Sequence, residues 1–246
     1  MNLQRLNSAT KYPSILTYHA LGERGMLTDE VTTFPDMAVL TEKINGTNGR
    51  IVTVGRDWFI GSRDQLLTAR GDRVANPGLG IVDALRDLAG TLPDPGNQII
   101  TYYLEVYGGK IGSEAKQYTD GSTVGYRLFD ISVVDTPVLD WDPERIARWR
   151  DDEDGQDWFD EEELVLATQQ HGIPLTPRLG ALSGTALPKT IDEAYAFLTE
   201  YLPGTKVGLD AGGKGNAEGI VVRDPYRKVI RKMRFEDYKR TIQRRK

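Results

Sequence analysis

One lysine in the sequence stands in a setting suited to phosphate chemistry. Lys43 lies between Glu42 and an isoleucine in the stretch EKINGTNG, which also holds two glycines. Glycines let backbone amides approach a ligand closely, and successive amides in such a turn can hold an anion. A lysine amine that has lost its proton is also a nucleophile. The stretch therefore indicates either an ordinary turn with a surface charge or a reactive lysine held over a phosphate.

Other charged residues stand at the ends of apolar strands. Alternation in YYLEVYGG places Glu105 on the face opposite its apolar neighbours. Glu218 begins the run EGIVVR after a glycine-rich segment, and Lys232 and Arg234 alternate with apolar residues in VIRKMRF. Together with Lys43 they would suit an anionic ligand and a metal. Taken singly, each is more often a surface residue than a ligand.

The order of the apolar patterns predicts an α+β fold with mostly antiparallel sheets, because strands come first, helices follow and strands return. Residues 37–54 have the composition of a β-hairpin around the turn NGTNG, and the run 57–61 continues as a strand. Further strands are predicted over 97–109, 126–134, 217–223 and 228–235.

Helices are predicted from apolar residues at helical spacing and from capping residues at their ends. One starts at Asp142 with a proline behind it, and another has Asp160 and Glu163 at capping-box spacing and ends at Gly172. The predicted helical segments are 78–93, 142–150, 160–172, 191–202 and, as a short basic helix, the chain from 235 on.

Composition narrows the class of protein. Cysteine is absent from the 246 residues, so disulfides and thiolate metal sites are excluded, and a reducing compartment is favoured. The two histidines, His19 and His171, are too few for a histidine metal cage and are expected in turns or at the surface. No apolar run reaches the length of a membrane span and no signal-peptide pattern is present. We therefore expect a cytoplasmic protein with no membrane partner.

The net charge of −5 conceals a strong asymmetry along the chain. Acidic residues concentrate in 150–163, which we expect to be a solvated loop and helix start. Ten of the last twenty residues, 227–246, are lysine or arginine. Such a basic end indicates either contact with a polyanion or a solvated helix face.

Six segments, taken in order, resemble the motifs of the covalent nucleotidyltransferases, which include DNA ligases, RNA ligases and mRNA capping enzymes. They are EKINGTN, GSRD, YLEVYGG, YRLFDI, EGIVVR and IRKMRFEDYK, between Glu42 and Lys239. The residues of these motifs are most similar to those of RNA ligases of the T4 RNA ligase 2 type. The resemblance implies an ATP-grasp-like nucleotidyltransferase domain of mostly antiparallel sheets flanked by helices.

The resemblance also implies roles for the residues that match the motifs. Lys43 would attack the α-phosphate of ATP and become a lysyl-AMP, with Asn48 as a further catalytic residue. Glu218 would lie near the lysine and the catalytic Mg²⁺ or Mn²⁺. Lys232 and Arg234 would bind the phosphates and, with the metal, supply the positive charge that favours a free amine.

Four further residues would bind the nucleotide if the resemblance holds. Glu105 matches the acid that binds the ribose hydroxyls, and Phe129 matches the aromatic residue that stacks on adenine. Arg63 would contact ribose and later a phosphate of the nucleic acid. The backbone of Glu42 would meet the adenine.

The implied reaction is the sealing of a 5′-phosphate end to a 3′-hydroxyl end of a nucleic acid, with RNA as the expected substrate. A minimal DNA ligase and an adenylyltransferase that stops before sealing remain alternatives. A third reading is a binding module for RNA or nucleotides on a degenerate ligase scaffold, although Lys43, Glu105, Glu218 and Lys232 are all present.

Two positions depart from the family pattern. Asn45 stands where these families usually carry aspartate or, in the T4 RNA ligase 2 type, often histidine, and Arg234 stands where many carry a second lysine. The chain also stops twelve residues after Arg234. The resemblance therefore predicts one nucleotidyltransferase domain over 1–246, with no OB-fold or helical C-terminal domain and with a short basic tail, 235–246, that could grip RNA.

Overall fold

The computed structural model of the protein describes residues 1–70, 72–75 and 80–245. Its helices are α1 (Leu3–Ala9), α2 (Ile81–Thr91), α3 (Pro143–Asp152), α4 (Glu161–His171), α5 (Ile191–Tyr201) and α6 (Phe235–Arg245). Its strands are β1 (Leu16–Thr17), β2 (His19–Leu21), β3 (Leu27–Val31), β4 (Met37–Lys43), β5 (Thr47–Val54), β6 (Asp57–Ser62), β7 (Leu66–Ala69), β8 (Asp72–Arg73), β9 (Gln98–Gly108), β10 (Val124–Asp135), β11 (Asp157–Trp158), β12 (Arg178–Ser183), β13 (Gly219–Arg223) and β14 (Ile230–Arg234). The predicted α+β class with mostly antiparallel sheets is confirmed.

The chain folds into two compact units, each made of three segments. Unit 1 consists of Met1–Pro13, Gly46–Ala115 and Ser122–Leu175, and unit 2 consists of Ser14–Asn45, Lys116–Gly121 and Thr176–Lys246. The backbone therefore passes from unit 2 to unit 1 directly after Asn45, within the glycine-containing stretch that follows Lys43.

Unit 1 is built on a seven-stranded sheet in the order β11-β10-β9-β5-β6-β7-β8, in which all strand pairs are antiparallel. One face packs on the amphipathic helix α2, where Val82 and Leu85 meet Ile51 and Leu104 in a single core. A second core, which includes Leu6 of α1, forms with the other side of the same strands. This core covers part of the sheet face opposite α2, so only the rest of that face is left for polar residues.

Unit 2 is built on a five-stranded sheet in the order β1-β14-β13-β4-β12, with β1 parallel to β14 and the other pairs antiparallel. Leu40, Ile220 and Met233 point from three neighbouring strands into one core, where they meet Ala194 and Leu198 of α5. Because side chains alternate along a strand, the residues between them face the opposite side of the sheet.

The predicted helices are confirmed over the described residues. Asp142 caps α3 by accepting the amide of Arg145 at 2.8 Å. Asp160 and Glu163 form the predicted capping box of α4, and Gly172 ends that helix in the left-handed conformation, with φ of 64°. The predicted start of α2, at 78–79, lies outside the described residues. No helix in the described part of the chain is long and apolar enough to cross a membrane.

The predicted hairpin over 37–54 is wrong, although both of its strands exist. β4 pairs with β12 and β13, whereas β5 pairs with β6 and β9 in the other sheet. Both strands are buried along most of their length, because each lies between two strand neighbours instead of at an edge. Gly46 cannot carry a Cβ, because the atom would collide with the carbonyl oxygen of Val106.

The expectation that His19 lies in a turn or at the surface is also wrong. Its side chain is fully buried, with Nδ1 2.8 Å from the Tyr238 hydroxyl and Nε2 3.3 Å from the Lys189 carbonyl oxygen. Burial lowers the pKa of His19. The reason is tertiary, since Tyr238 belongs to α6 and is distant in sequence. His171 is the last residue of α4, next to the Gly172 turn.

Candidate functional site

Lys43 is in direct contact with one of the predicted acids. It ends β4, and its Nζ lies 2.7 Å from Oε2 of Glu218. The contact follows from the sheet register, because Lys43 pairs with Gly219, the residue after Glu218. The two side chains keep 25% and 14% of their surface exposed, so a ligand can reach both. The pair joins a potential nucleophile to a group that can accept its proton.

Two cations lie on the same face of the unit 2 sheet as Lys43. Gly219 pairs with Lys43 on one side and with Arg234 on the other, so both side chains flank a residue that has none. A Cβ at Gly219 would collide with the Met233 carbonyl oxygen. Lys232 lies two residues before Arg234 and therefore faces the same way. We call Lys43, Glu218, Lys232 and Arg234 the lysine cluster.

The lysine cluster crowds positive charges together. Burial lowers the pKa of Lys232, and the nearby Arg234 and Lys43 lower it further. Arg234 instead has a raised pKa, mainly because it hydrogen-bonds to the carboxylate of Asp237. Nε and Nη2 of Arg234 donate to that carboxylate at 2.7 and 2.9 Å. This arrangement holds the guanidinium in one orientation at the end of β14.

Asp237 is a residue that sequence reasoning missed. It is 1% exposed, and it accepts a further hydrogen bond from Arg240 at 2.8 Å. The available signal was its position in the first turn of a helix, three residues after Arg234, where the two side chains can meet.

Glu42 has a structural task beside Lys43. Its carboxylate accepts hydrogen bonds from the Thr205 hydroxyl and from the amide of Lys206, the latter at 2.8 Å. Its own amide donates to the Pro177 carbonyl at 2.9 Å. Glu42 thereby ties the end of β4 to two loops of unit 2. Its predicted contact with adenine through the backbone stays a prediction.

The remaining predicted residues belong to unit 1, where three polar residues form a row. Asn48 of β5 pairs with Glu105 of β9, and Glu105 pairs with Arg127 of β10. Oε1 of Glu105 also accepts the amide of Gly46 at 3.0 Å. We call Asn48, Glu105 and Arg127 the polar row. Arg127 was missed by the sequence reasoning, because its place beside Glu105 depends on the register between β9 and β10.

Phe129 and Arg63 lie near the polar row in the same sheet. Phe129 stands at a register shift of β10, two residues after Arg127, and its ring is 5.0 Å from that of Tyr12 in an edge contact. Arg63 is exposed and follows Ser62, which pairs with Gly49. The end of β6 therefore lies beside Asn48. The contact between Phe129 and Tyr12 had no signal in the sequence.

The predicted residues thus form two sets, each held by one sheet. The described residues contain no group of three or more acids and histidines that could hold a metal unaided. Glu218 nevertheless suits a magnesium or manganese ion that takes its other ligands from phosphate oxygens and water, which is how Mg²⁺ is often bound.

Comparisons with known proteins identify the family of the chain. The family model of RNA ligases matches residues 36–240, which include both sets. The chain belongs to the RNA ligase family. Its placement within the family, as the T4 RNA ligase 2 type, stays a prediction, and so do the roles of the individual residues. No matching relative was found among curated proteins.

Solved structures of RNA ligases share the fold. A Naegleria gruberi RNA ligase mutant with ATP and manganese matches with a TM-score of 0.55 and 13% identity, covering 94% of this chain and 62% of that chain. The Naegleria gruberi RNA ligase with pyrophosphate matches with a TM-score of 0.55 and 14% identity, covering 95% of this chain and 64% of that chain. The chain spans less than two thirds of the length of these proteins.

Proposed function

We propose that this member of the RNA ligase family seals RNA ends in an ATP-dependent reaction that passes through a lysyl-AMP at Lys43. The observation that carries the proposal is the lysine cluster. It brings a lysine amine, a carboxylate in contact with it at 2.7 Å and two further cations to one face of a sheet. These are the groups that an attack on a phosphate requires.

The first step is the transfer of AMP to the enzyme. The Lys43 ammonium gives up a proton, which Glu218 is placed to accept, and the free amine attacks the α-phosphorus of ATP. A P–N bond forms, the bond from the α-phosphorus to the bridging oxygen breaks, pyrophosphate leaves, and the nitrogen loses a second proton to solvent. The contact seen between Lys43 and Glu218 holds the amine in place before the proton is lost.

The two other cations of the cluster, Lys232 and Arg234, would bind the phosphates of ATP. Lys232 has a lowered pKa because burial and its positive neighbours disfavour its charge, and a bound phosphate would relieve that repulsion. Arg234, oriented by Asp237, would hold a phosphate oxygen in a fixed direction. A magnesium or manganese ion held by Glu218 and phosphate oxygens would add charge that stabilises the transition state.

The residues of unit 1 would recognise the nucleoside. Glu105 offers a carboxylate for the ribose hydroxyls, and Phe129 offers an aromatic ring for adenine. Asn48, next to Glu105 in the polar row, and the exposed Arg63 would assist by contacts to the nucleotide and later to nucleic-acid phosphate. The backbone of Glu42 would contact the adenine.

The second and third steps would join the RNA. A 5′-phosphate oxygen attacks the lysyl-AMP phosphorus, the P–N bond breaks, and the adenylylated RNA end forms. A 3′-hydroxyl then attacks the RNA 5′-phosphorus, the new phosphodiester forms, and AMP leaves. The partner is therefore a nucleic acid with a 5′-phosphate and a 3′-hydroxyl, and the family favours RNA.

We also propose that the basic tail, 235–246, binds RNA. Three of its arginines already make contacts within the protein, so fewer of its charges are left for RNA. Arg240 and Arg244 donate to the carbonyls of Gly25 and Arg24, and Arg245 pairs with Asp29. Deletion would also remove the buried Tyr238. The sharper test is therefore Lys239→Gln, at an exposed lysine of α6, with RNA affinity measured at several salt concentrations.

The proposal is tested by labelling. The protein is incubated with Mg²⁺ and α-³²P-ATP or α-³²P-GTP, after treatment with pyrophosphate to remove bound AMP. Label from ATP should survive denaturation, disappear in Lys43→Ala and persist in Lys110→Ala, where the lysine is exposed in unit 1. Absence of label in the wild type would contradict the proposal.

A sealing assay then separates the related activities. Nicked RNA, nicked DNA and RNA–DNA hybrids are offered to the labelled enzyme, and RNA sealing is the expected result. Preferred sealing of DNA would identify a minimal DNA ligase. Label without sealing of any substrate would identify an adenylyltransferase that stops before the last step.

A further inference from the structure

A short segment of unit 2, residues 116–121, holds the backbone behind Lys43. Tyr118 in this segment is fully buried. Its hydroxyl oxygen accepts the amide hydrogen of Asn45 at 2.7 Å. Asn45 lies two residues after Lys43, at the last position before the chain leaves unit 2. The hydroxyl therefore fixes the direction in which the backbone leaves the lysine.

The same segment also holds the approach to Glu218. The Tyr118 carbonyl accepts the amide of Leu209 at 2.7 Å, and the Gln117 carbonyl accepts the amide of Gly215 at 3.0 Å. The Gln117 side chain accepts the amide of Asn216 at 3.3 Å. Asn216 lies two residues before Glu218. One segment thus anchors the backbone beside both members of the Lys43–Glu218 pair.

The glycine-rich stretch AGGKGNA before Glu218 explains how the two segments come so close. A Cβ at Gly213 would lie 2.8 Å from the carbonyl carbon of Tyr118, and a Cβ at Gly212 would collide with the carboxylate of Asp120. These two glycines therefore serve close packing against 116–121 within unit 2. At Gly213 the neighbouring atoms belong to the backbone of Gln117 and Tyr118, so a larger residue there would push the two segments apart.

We propose that Tyr118 is a positioning residue for the formation of the lysyl-AMP, an inference that rests on the proposed function. The hydroxyl keeps the amide of Asn45, and with it the end of β4, where Lys43 meets Glu218. A displacement of about 1 Å in an attacking group can slow a reaction about a hundredfold. Loss of this one hydrogen bond should therefore slow the attack without weakening the binding of ATP.

The test is Tyr118→Phe, which removes only the hydroxyl. Single-turnover lysyl-AMP formation is measured at a series of ATP concentrations, and the melting temperature is measured beside it. We expect the rate at saturating ATP to fall about tenfold or more, with little change in the ATP concentration that gives half the maximal rate. The matched control is Tyr18→Phe, another buried tyrosine of unit 2, whose hydroxyl donates to the Pro188 carbonyl at 3.0 Å.

Each outcome decides the inference. A slower maximal rate in Tyr118→Phe, with Tyr18→Phe at the wild-type rate, supports it. An unchanged rate in Tyr118→Phe, or an equal loss in both variants, overturns it and leaves the proposed function intact. If Tyr118→Phe does not fold, Gln117→Met loosens the segment at the Glu218 side, and an unchanged rate there overturns the inference. No label in the wild type overturns the proposed function together with it.

Discussion

The lysine cluster of unit 2 and the polar row of unit 1 use charge differently. In the cluster, an ion pair of 2.7 Å stands among two further cations, one of which has a lowered pKa. In the row, Glu105 lies between a neutral amide and Arg127, and its carboxylate holds the Gly46 amide. Under the proposed function, the residues of unit 2 would carry out the phosphate chemistry and those of unit 1 would recognise the nucleoside. Changes in unit 2 should then lower the maximal rate, and changes in unit 1 should weaken ATP binding.

The largest effect is expected from Glu218→Gln. The substitution keeps the shape of the side chain but removes the charge that, in the proposed mechanism, would accept the proton of Lys43 and help to hold a metal. The rate of lysyl-AMP formation at saturating ATP should fall about a thousandfold, within the usual range for a general base. Glu200→Gln, at an exposed glutamate of α5, is the matched control and should label at the wild-type rate. A Glu218→Gln rate within threefold of wild type would remove Glu218 from the mechanism.

Lys232→Met should lower the rate and raise the stability. The pKa of Lys232 is lowered in the folded protein, so the folded protein binds the proton of this side chain less tightly than the unfolded chain does. The charge therefore costs stability at neutral pH, and this cost disappears only as the pH rises towards about 10.4. We expect about a hundredfold loss of rate, as for removal of one transition-state contact.

The gain in stability is the distinguishing part of that prediction. Urea unfolding at pH 7 measures this gain, which should appear as a higher midpoint of unfolding at an unchanged slope. Lys239→Met, at the exposed lysine of α6, is the control. Lower stability of Lys232→Met would show that the charge of Lys232 stabilises the apo protein.

Glu105→Gln should affect ATP binding more than the maximal rate. Its amide oxygen can still accept the Gly46 amide, so the fold is retained, but the charged acceptor for the ribose is lost. A hydrogen bond to a charged group contributes about 1.5–3 kcal/mol, so the ATP concentration for half-maximal labelling should rise about tenfold or more. Glu162→Gln, on the surface of α4, serves as the control. A pure loss of maximal rate would contradict the division between the two units.

The smallest effect is expected from His19 of unit 2, which should make the free energy of unfolding depend on pH in the acid range. His19 is buried as the neutral form, and its pKa is lowered by burial. The unfolded chain therefore binds a proton more readily below pH about 6.5, and the free energy of unfolding should fall as the pH drops through that value. The slope contributed by one group is at most about 1.4 kcal/mol per pH unit.

Urea unfolding between pH 8 and pH 5 measures this slope, with His19→Gln as the comparison. The variant should be less stable at pH 8, because the contact with Tyr238 changes, and should show a flatter dependence between pH 6.5 and 5. Equal slopes in both proteins would show that His19 does not control the acid sensitivity.

Several parts of the fold and the site could be read from local patterns. The caps at Asp142 and Asp160 act on amides within three residues, so their effect is visible in the sequence. Alternation placed Lys232 and Arg234 together on one face of their strand. The ordered motifs pointed to the family that the comparison then showed.

Other parts depended on contacts between distant residues. The strands on either side of Gly46 carry the composition of a hairpin, yet each pairs with different partners in a different sheet. His19 is buried because Tyr238 of α6 and Lys189, two residues before α5, reach it. The hydroxyl of Tyr118 meets Asn45 across 73 positions of sequence. No local pattern encodes such distances.

The sequence by itself determined the caps of α3 and α4, the faces of the strands and the ordered set of residues that marks the RNA ligase family. These depend on interactions over a few residues or on a linear order of motifs. Only the tertiary structure decided which strands pair, which polar groups are buried and how Lys43 is held against Glu218. The physical reason is that buried backbone groups must find hydrogen-bond partners and apolar faces must find cover, and both requirements are met by residues far apart along the chain.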